Sequence, residues 1–192
     1  KTINELVKAC FDMGEVKNGA QIDIEEEIRL DEYVRTGINI DGILTSQLLI
    51  NIVKEYELSP KYFQIEITET VATEYSESFC KAVEDFTNAG IGLCLDDFGS
   101  GYANLNAVLR LPFDVVKMDR SLLTGITCDE QAAVFYHSIV TVMQNMGYTI
   151  VAEGAETEEE VSLLREWGVD MVQGYYFSRP LPEVELLRLF ML

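Results

Sequence analysis

Six times along this chain a short apolar, β-branched run ends in a polar residue and gives way to a helical pattern, and that recurrence constrains the fold more than any other feature. The runs are "TGINIDG" (36–42), "YFQIEITE" (62–69), "IGLCLDD" (91–97), "FDVVKMD" (113–119), "YTIVAEG" (148–154) and "VDMVQGY" (169–175). Between them lie helix-like stretches such as "ESFCKAVEDFTNAG", where Gly90 is placed to cap the C-terminus, and "DEQAAVFYHSIVTVMQNMG"; "PEVELLRLFML" closes the chain. Strand-then-helix units in succession imply parallel strands joined by crossover helices. Runs such as "IGLCL" and "TIVA" are apolar on both faces, as strands covered on both sides are.

An open doubly wound sheet and a closed (β/α)8 barrel both satisfy this pattern, and two observations favour the barrel. A polar residue stands at the C-terminal end of every run: Asn39, Glu66, Asp96 with Asp97, Lys117, Glu153 and Gln173. In a barrel those ends converge on one mouth. No G-x-G-x-x-G follows the first run, so the dinucleotide signature of the open sheet is missing. The expected fold is therefore α/β, a TIM-like (β/α)8 barrel. Six units are two short of eight, so the first one or two β/α units are expected to be short, degenerate or absent. A chain of 192 residues fits one domain, with 1–35 atypical and 36–192 made of regular units.

Composition removes whole classes of chemistry. One histidine, His137, in the helical pattern "AAVFYHSIVTVM", leaves no His-based zinc site and no Ser/His/Asp triad, and it reads as a half-buried helix residue. Four cysteines never form a C-x-x-C pair, which suits a reducing cytoplasm. No run of about 18 apolar residues exists, and the charged "KTINELVKACFDMGE" lacks a signal-peptide block, so a soluble chain is expected. A formal net charge of −19, from 33 acidic and 14 basic residues, argues against a DNA or RNA polymer and against an anionic membrane surface. A small phosphate ligand stays compatible with that charge if divalent cations lie between.

Asn39, Glu66, Asp96, Asp97, Glu153 and Glu156 gathered at one mouth would present five carboxylates and an amide oxygen. Hard oxygen donors of this number suit Mg²⁺, Mn²⁺ or Ca²⁺ rather than zinc or copper. Adjacent Asp96 and Asp97 allow one carboxylate to bridge two ions while its neighbour serves the second. Two metals ~3.5–4 Å apart are the usual clamp for in-line displacement at phosphate. Lys117 is then the natural cation for the phosphate or the attacking water. The plainer alternatives are that Asp96 or Asp97 caps the following turn and that Lys117 pairs with Asp119.

The ordered motifs "EITET", "DDFGSGYANL", "LPFDVVKMDRSL", "VAEGAET" and "QGYYFSRPLP" resemble those of EAL domains, the cyclic-di-GMP phosphodiesterases of bacterial second-messenger signalling. The resemblance runs from about Asn39 to the C-terminus. It implies that Asn39, Glu66, Asp96, Asp97 and Glu153 match the family's metal ligands and that Lys117 matches the catalytic lysine contacting the nucleophilic water. Asp97 and Glu153 thereby join Lys117 as catalytic candidates. Glu156 and Gln173 match positions behind that centre or beside the substrate. Glu69 matches the residue steadying the loop after the paired aspartates, with Gly99 and Gly101 giving that loop its mobility. Arg179 and Pro180 fall near where the family holds guanine, and Tyr102 is equally well packing or contact. The implied reaction is hydrolysis of cyclic di-GMP to linear pGpG with Mg²⁺ or Mn²⁺ at a two-metal site. The implied setting is a larger cytoplasmic regulator, with homodimerisation through the helix beside the aspartate loop open to it.

The E-A-L-x-R motif that names the family has one near counterpart, "IEEEIRL" (24–30), where Glu25 and Arg29 keep the spacing but both inner residues are glutamate. Glu25 lies 14 residues before Asn39, fewer than the roughly 20 that a strand, helix and next strand require. Residues missing between Leu30 and Asn39, degenerate first strands, or a chain that begins late each account for this. The rival to an active phosphodiesterase is therefore a silent cyclic-di-GMP receptor or interaction module on the same fold. Another Mg²⁺-dependent barrel of the enolase type fits the carboxylates but not the five ordered motifs.

Overall fold

The structure, a computed structural model, describes residues 46–55, 57–69, 71–73, 76–101 and 105–181. The first strand-like run (36–42), Asn39, Glu25, Arg29, Tyr102 and the closing "PEVELLRLFML" lie outside the described residues.

Five strands form one sheet: β1 (Gln64–Thr68), β2 (Gly92–Phe98), β3 (Val115–Met118), β4 (Thr149–Glu153) and β5 (Met171–Gln173). They correspond to the second through sixth expected runs, four of them trimmed at both flanks, while β2 starts one residue later than its run and extends one residue further, to Phe98. The helices are α1 (Ser46–Glu55), α2 (Glu77–Asn88), α3 (Leu105–Arg110), α4 (Arg120–Leu123), α5 (Glu130–Asn145) and α6 (Glu158–Glu166). Strand order is β1-β2-β3-β4-β5, and β2–β3, β3–β4 and β4–β5 pair in parallel. A doubly wound sheet reverses its order at a switch point. This sheet advances without reversal, as a singly wound barrel wall does, and that separates the two architectures left open by the periodicity.

The described residues divide into two compact units, the first within 46–64 and 77–92 and the second within 65–76 and 93–181. In the first, α1 packs on α2. Each buries residues three apart, Ile50 with Val53 and Val83 with Phe86, the spacing that puts them on one helical face. Gly90 ends α2 in the left-handed region at φ +79°, and Ile91 N–H closes the turn on Phe86 C=O.

The second unit holds the sheet from Ile65 onward. Successive side chains on a strand point to opposite faces, and the two faces here differ in content. Leu93, Leu95, Val116, Met118, Ile150 and Ala152 are fully buried on one, and α5 packs on β4. Burying a leucine such as Leu95 stabilises by about 1.5–3 kcal/mol. On the other, Cys94, Val115 and Val151 form a small buried apolar cluster. Two residues further along the same strands, on the same face, come Asp96, Lys117 and Glu153. Polar groups also serve the opposite strand ends: the Asp114 carboxylate accepts from Leu93 N–H at 3.0 Å, and that of Asp170 from Ile150 N–H at 2.8 Å. No helix among the described residues is long and apolar enough to cross a membrane.

Candidate metal and active site

Adjacent residues in a regular strand cannot aim their side chains at one point. β2 resolves this with a bulge. Leu95 pairs with Val116 and Phe98 with Met118, so three steps along β2 match two along β3, and the extra residue falls within the aspartate pair. Asp97 sits at φ +55°, in the left-handed region that an aspartate tolerates better than most residues. The result is that oxygens of Asp96, Asp97 and Glu153 come within 4.8 Å of one another.

Lys117, half-buried, reaches into this cluster from β3. Its Nζ lies 2.7 Å from Asp96 Oδ1, 2.9 Å from Glu153 Oε1 and 3.3 Å from Glu66 Oε1. Asp119 does not pair with it, since its carboxylate caps α4 by accepting from Ser121 N–H at 2.9 Å. The Asp96 carboxylate instead accepts from Lys117 Nζ. Among the described helix starts, Asp119, Asp129 and Thr157 take the capping role for α4, α5 and α6.

One ammonium stands against four carboxylates, and the ionisation of the cluster reflects it. Burial lifts the Asp97 carboxyl above its ordinary 3.8, and the neighbouring Asp96 and Asp119 add to the rise. Burial also raises Glu153 above its ordinary 4.5; Lys117 pulls it back, while Asp96 and Asp97 push it further up. Burial opposes the charge on Lys117, but hydrogen bonds to Asp96 and Glu153 outweigh it and hold the ammonium above its ordinary 10.5. Beneath the cluster, burial and then Glu66 push the Cys94 thiol up to about 12, so it is a packing group and not a nucleophile. All-oxygen donors around a point already occupied by positive charge fit a hard divalent cation.

The remaining expected residues that the structure describes have partners of their own. Glu69 is the buried charged residue of the described core, and its Oε2 accepts from Gly99 N–H at 3.1 Å, while its own N–H donates to Asp96 C=O at 3.2 Å. Glu156 meets Arg120 at 2.8 Å, with both side chains well exposed. Gln173 is exposed at the end of β5, and its carbonyl accepts from Gly154 N–H at 2.7 Å and Ala155 N–H at 3.2 Å. The Arg179 guanidinium lies over the Tyr175 ring, 4.8 Å from its centroid, with Pro180 exposed beside it. Arg120 escaped the sequence reading, although it stands inside "KMDRS"; its stem covers Gly154, where a Cβ would come within 2.5 Å of Arg120 Cγ.

Five strand positions thus carry a bulged aspartate pair, two glutamates, a lysine and a glutamine at the same edge of one singly wound sheet. A family model described as the EAL domain matches residues 6–180. The chain belongs to the EAL domain family. The match begins at residue 6, well before Asn39, where the recognisable motifs start. The fold of this EAL domain is accordingly α/β, of the TIM-like barrel class, with five parallel strands among the described residues. Among curated relatives, MucR of Pseudomonas aeruginosa, a bifunctional diguanylate cyclase/cyclic di-GMP phosphodiesterase, is 32% identical over 184 residues, or 95% of this chain and 26% of MucR. The chain thus spans about a quarter of that relative's length. Among solved structures, the EAL domain of Mycobacterium smegmatis DcpA matches with a TM-score of 0.69 at 29% identity, covering 76% of this chain and 66% of its own. Klebsiella pneumoniae BlrP1, solved as a manganese/cyclic di-GMP complex, matches with a TM-score of 0.64 at 34% identity, covering 70% of this chain and 34% of its own.

Proposed function

We propose that this EAL domain is a metal-dependent phosphodiesterase that hydrolyses one phosphodiester of cyclic di-GMP to linear pGpG. The observation that carries the reading is the meeting of Lys117 with Glu66, Asp96 and Glu153 beside the bulged Asp97. The names of MucR and of the BlrP1 complex supply the substrate and the class of ion. Asn39, Glu66, Asp96, Asp97 and Glu153 would hold two Mg²⁺ or Mn²⁺ ions in this reading. Bound metal supplies charge neutralisation at the phosphate and a more acidic water.

The chain's own residues do the rest. Lys117 donates to the attacking water and orients it toward phosphorus. Asp97 and Glu153 would act as ligands that fix the ion beside Lys117, and the proton that water loses passes to solvent as the P–O bond to the leaving ribose oxygen breaks and that oxygen is protonated in turn. Glu69 holds the loop after β2 through Gly99, and Glu156, Gln173, Arg179 and Pro180 border the substrate. The domain acts in the cytoplasm as the hydrolytic part of a larger regulator, as a homodimer where the helix beside the aspartate loop pairs.

The test is incubation of the purified chain with cyclic di-GMP and Mg²⁺ or Mn²⁺, following pGpG by chromatography beside a binding titration. Turnover that vanishes in Asp96→Asn, with the melting curve retained, is expected. An unchanged rate in Asp96→Asn would remove the metal assignment. The altered inner residues of "IEEEIRL" favour a second reading, a receptor, and binding without turnover would establish it.

A further inference from the structure

We infer that Lys117 is an internal counter-cation that competes with the divalent ion for the same carboxylates, so that metal entry displaces the ammonium and frees it for the substrate. The inference rests on the metal-site reading above and adds a second role to a residue already placed there. An ammonium has three N–H donors, and Lys117 has three carboxylate acceptors within reach, at 2.7, 2.9 and 3.3 Å. The contact with Asp96 is a hydrogen bond, and those with Glu153 and Glu66 are ion pairs, so the ammonium is drawn into the cluster from three sides.

Two of those acceptors, Asp96 and Glu153, also belong to the group whose oxygens converge within 4.8 Å. A cation bound to either contact oxygen at the ~2.0–2.6 Å of these metals lies within about 5.5 Å of Nζ. Two cations at that separation in a half-buried pocket repel strongly, because little water intervenes to screen them. The ammonium also neutralises only part of the cluster, one positive charge among the carboxylates of Glu66, Asp96, Asp97 and Glu153. A divalent ion neutralises more, so it wins the carboxylates once its concentration suffices. The device holds the three acidic strands, β1, β2 and β4, together around β3 at low metal and sets a threshold for loading.

The first experiment compares Mn²⁺ affinity, by calorimetry on EDTA-stripped protein, in the wild type and Lys117→Met. The expected result is binding at least ~10-fold tighter in the variant, with a lower metal-free melting temperature. Placing Asp96→Asn in both backgrounds should erase the difference, which separates this site from ions scattered on an acidic surface. Equal or weaker Mn²⁺ binding by folded Lys117→Met overturns the competition while leaving the metal site in place. Absence of Mn²⁺ binding in the wild type overturns both. Should Lys117→Met fail to fold, amine acetylation of the wild type, read at Lys117 by mass spectrometry, decides the matter. Mn²⁺ should raise the labelling of Lys117, and unchanged or reduced labelling counts against displacement.

Discussion

Asp97 shows how much one dihedral angle matters. The adjacent aspartates were legible in "LDDFGSG", and so was their use as ligands, but period-two alternation would send their side chains to opposite faces. The extra residue in β2 and the positive φ of Asp97 bring both to one side. Neither can be read from the letters, because aspartate is compatible with an extended backbone as well as with a left-handed one. Two glycines hold the surrounding turns by close approach. At Gly99 (φ +90°) a Cβ would meet the Leu122 side chain at 2.5 Å, and at Gly174 it would collide with the backbone of Ala155. A leucine side chain can move and a backbone carbonyl cannot. Gly174→Ala is therefore expected to destabilise by about 1–3 kcal/mol or more in urea unfolding. An effect within error of the wild type would show that the segments following β4 and β5 relax freely.

At the scale of elements, local rules were the most readable part. "ETEEEV" reads as a solvated helix start, and in α6 Thr157 Oγ accepts from Glu160 N–H while the Glu160 carboxylate accepts from Thr157 N–H. Thr157→Ala should lower stability by about 1 kcal/mol, measurable as a shift in the urea midpoint, and Thr157→Ser should retain most of it. No shift in Thr157→Ala would mean that α6 is held by packing of Val161 and Leu164 alone. His137 was the less readable residue. The pattern suggested a half-buried position, whereas it is exposed and stacked on Trp167, with ring centroids 5.4 Å apart and planes 10° apart. The partner comes from the end of another helix, 30 residues on, and helical periodicity carries no information about it.

The whole molecule carries a net charge of −19, and part of it is concentrated at one site. Asp97 and Glu153 titrate higher when folded than when unfolded, so each favours folding most below its unfolded value, and that contribution is lost as pH rises through the raised folded value. Lys117 is also raised, so its contribution is complete below its ordinary 10.5 and is lost only at more alkaline pH. In the interval above their ordinary values, far below the range where Lys117 titrates, the two acids therefore dominate among these three groups. In EDTA, their share of stability should fall across that interval, and the Asp97→Asn, Glu153→Gln variant should melt with a flatter pH dependence than the wild type. An identical pH profile in both would contradict the raised carboxyls. At neutral pH, Mn²⁺ at 100 times its dissociation constant should add about 2.7 kcal/mol, or roughly 5–10 °C in melting temperature for a chain of this size.

The sequence by itself determined the alternation of strand and helix, the carboxylates and lysine at strand ends, and membership in the EAL domain family. Those features reside in short-range patterns of polarity and in ordered motifs. Only the tertiary structure decided between an open and a singly wound sheet, through a strand order that no local pattern encodes. It alone also decided that Lys117 meets three carboxylates from three other strands while Asp119 turns away to cap a helix. Those partners lie far apart along the chain. Their meeting depends on register and on one bulged residue, which are properties of hydrogen-bonded neighbours and not of any single stretch.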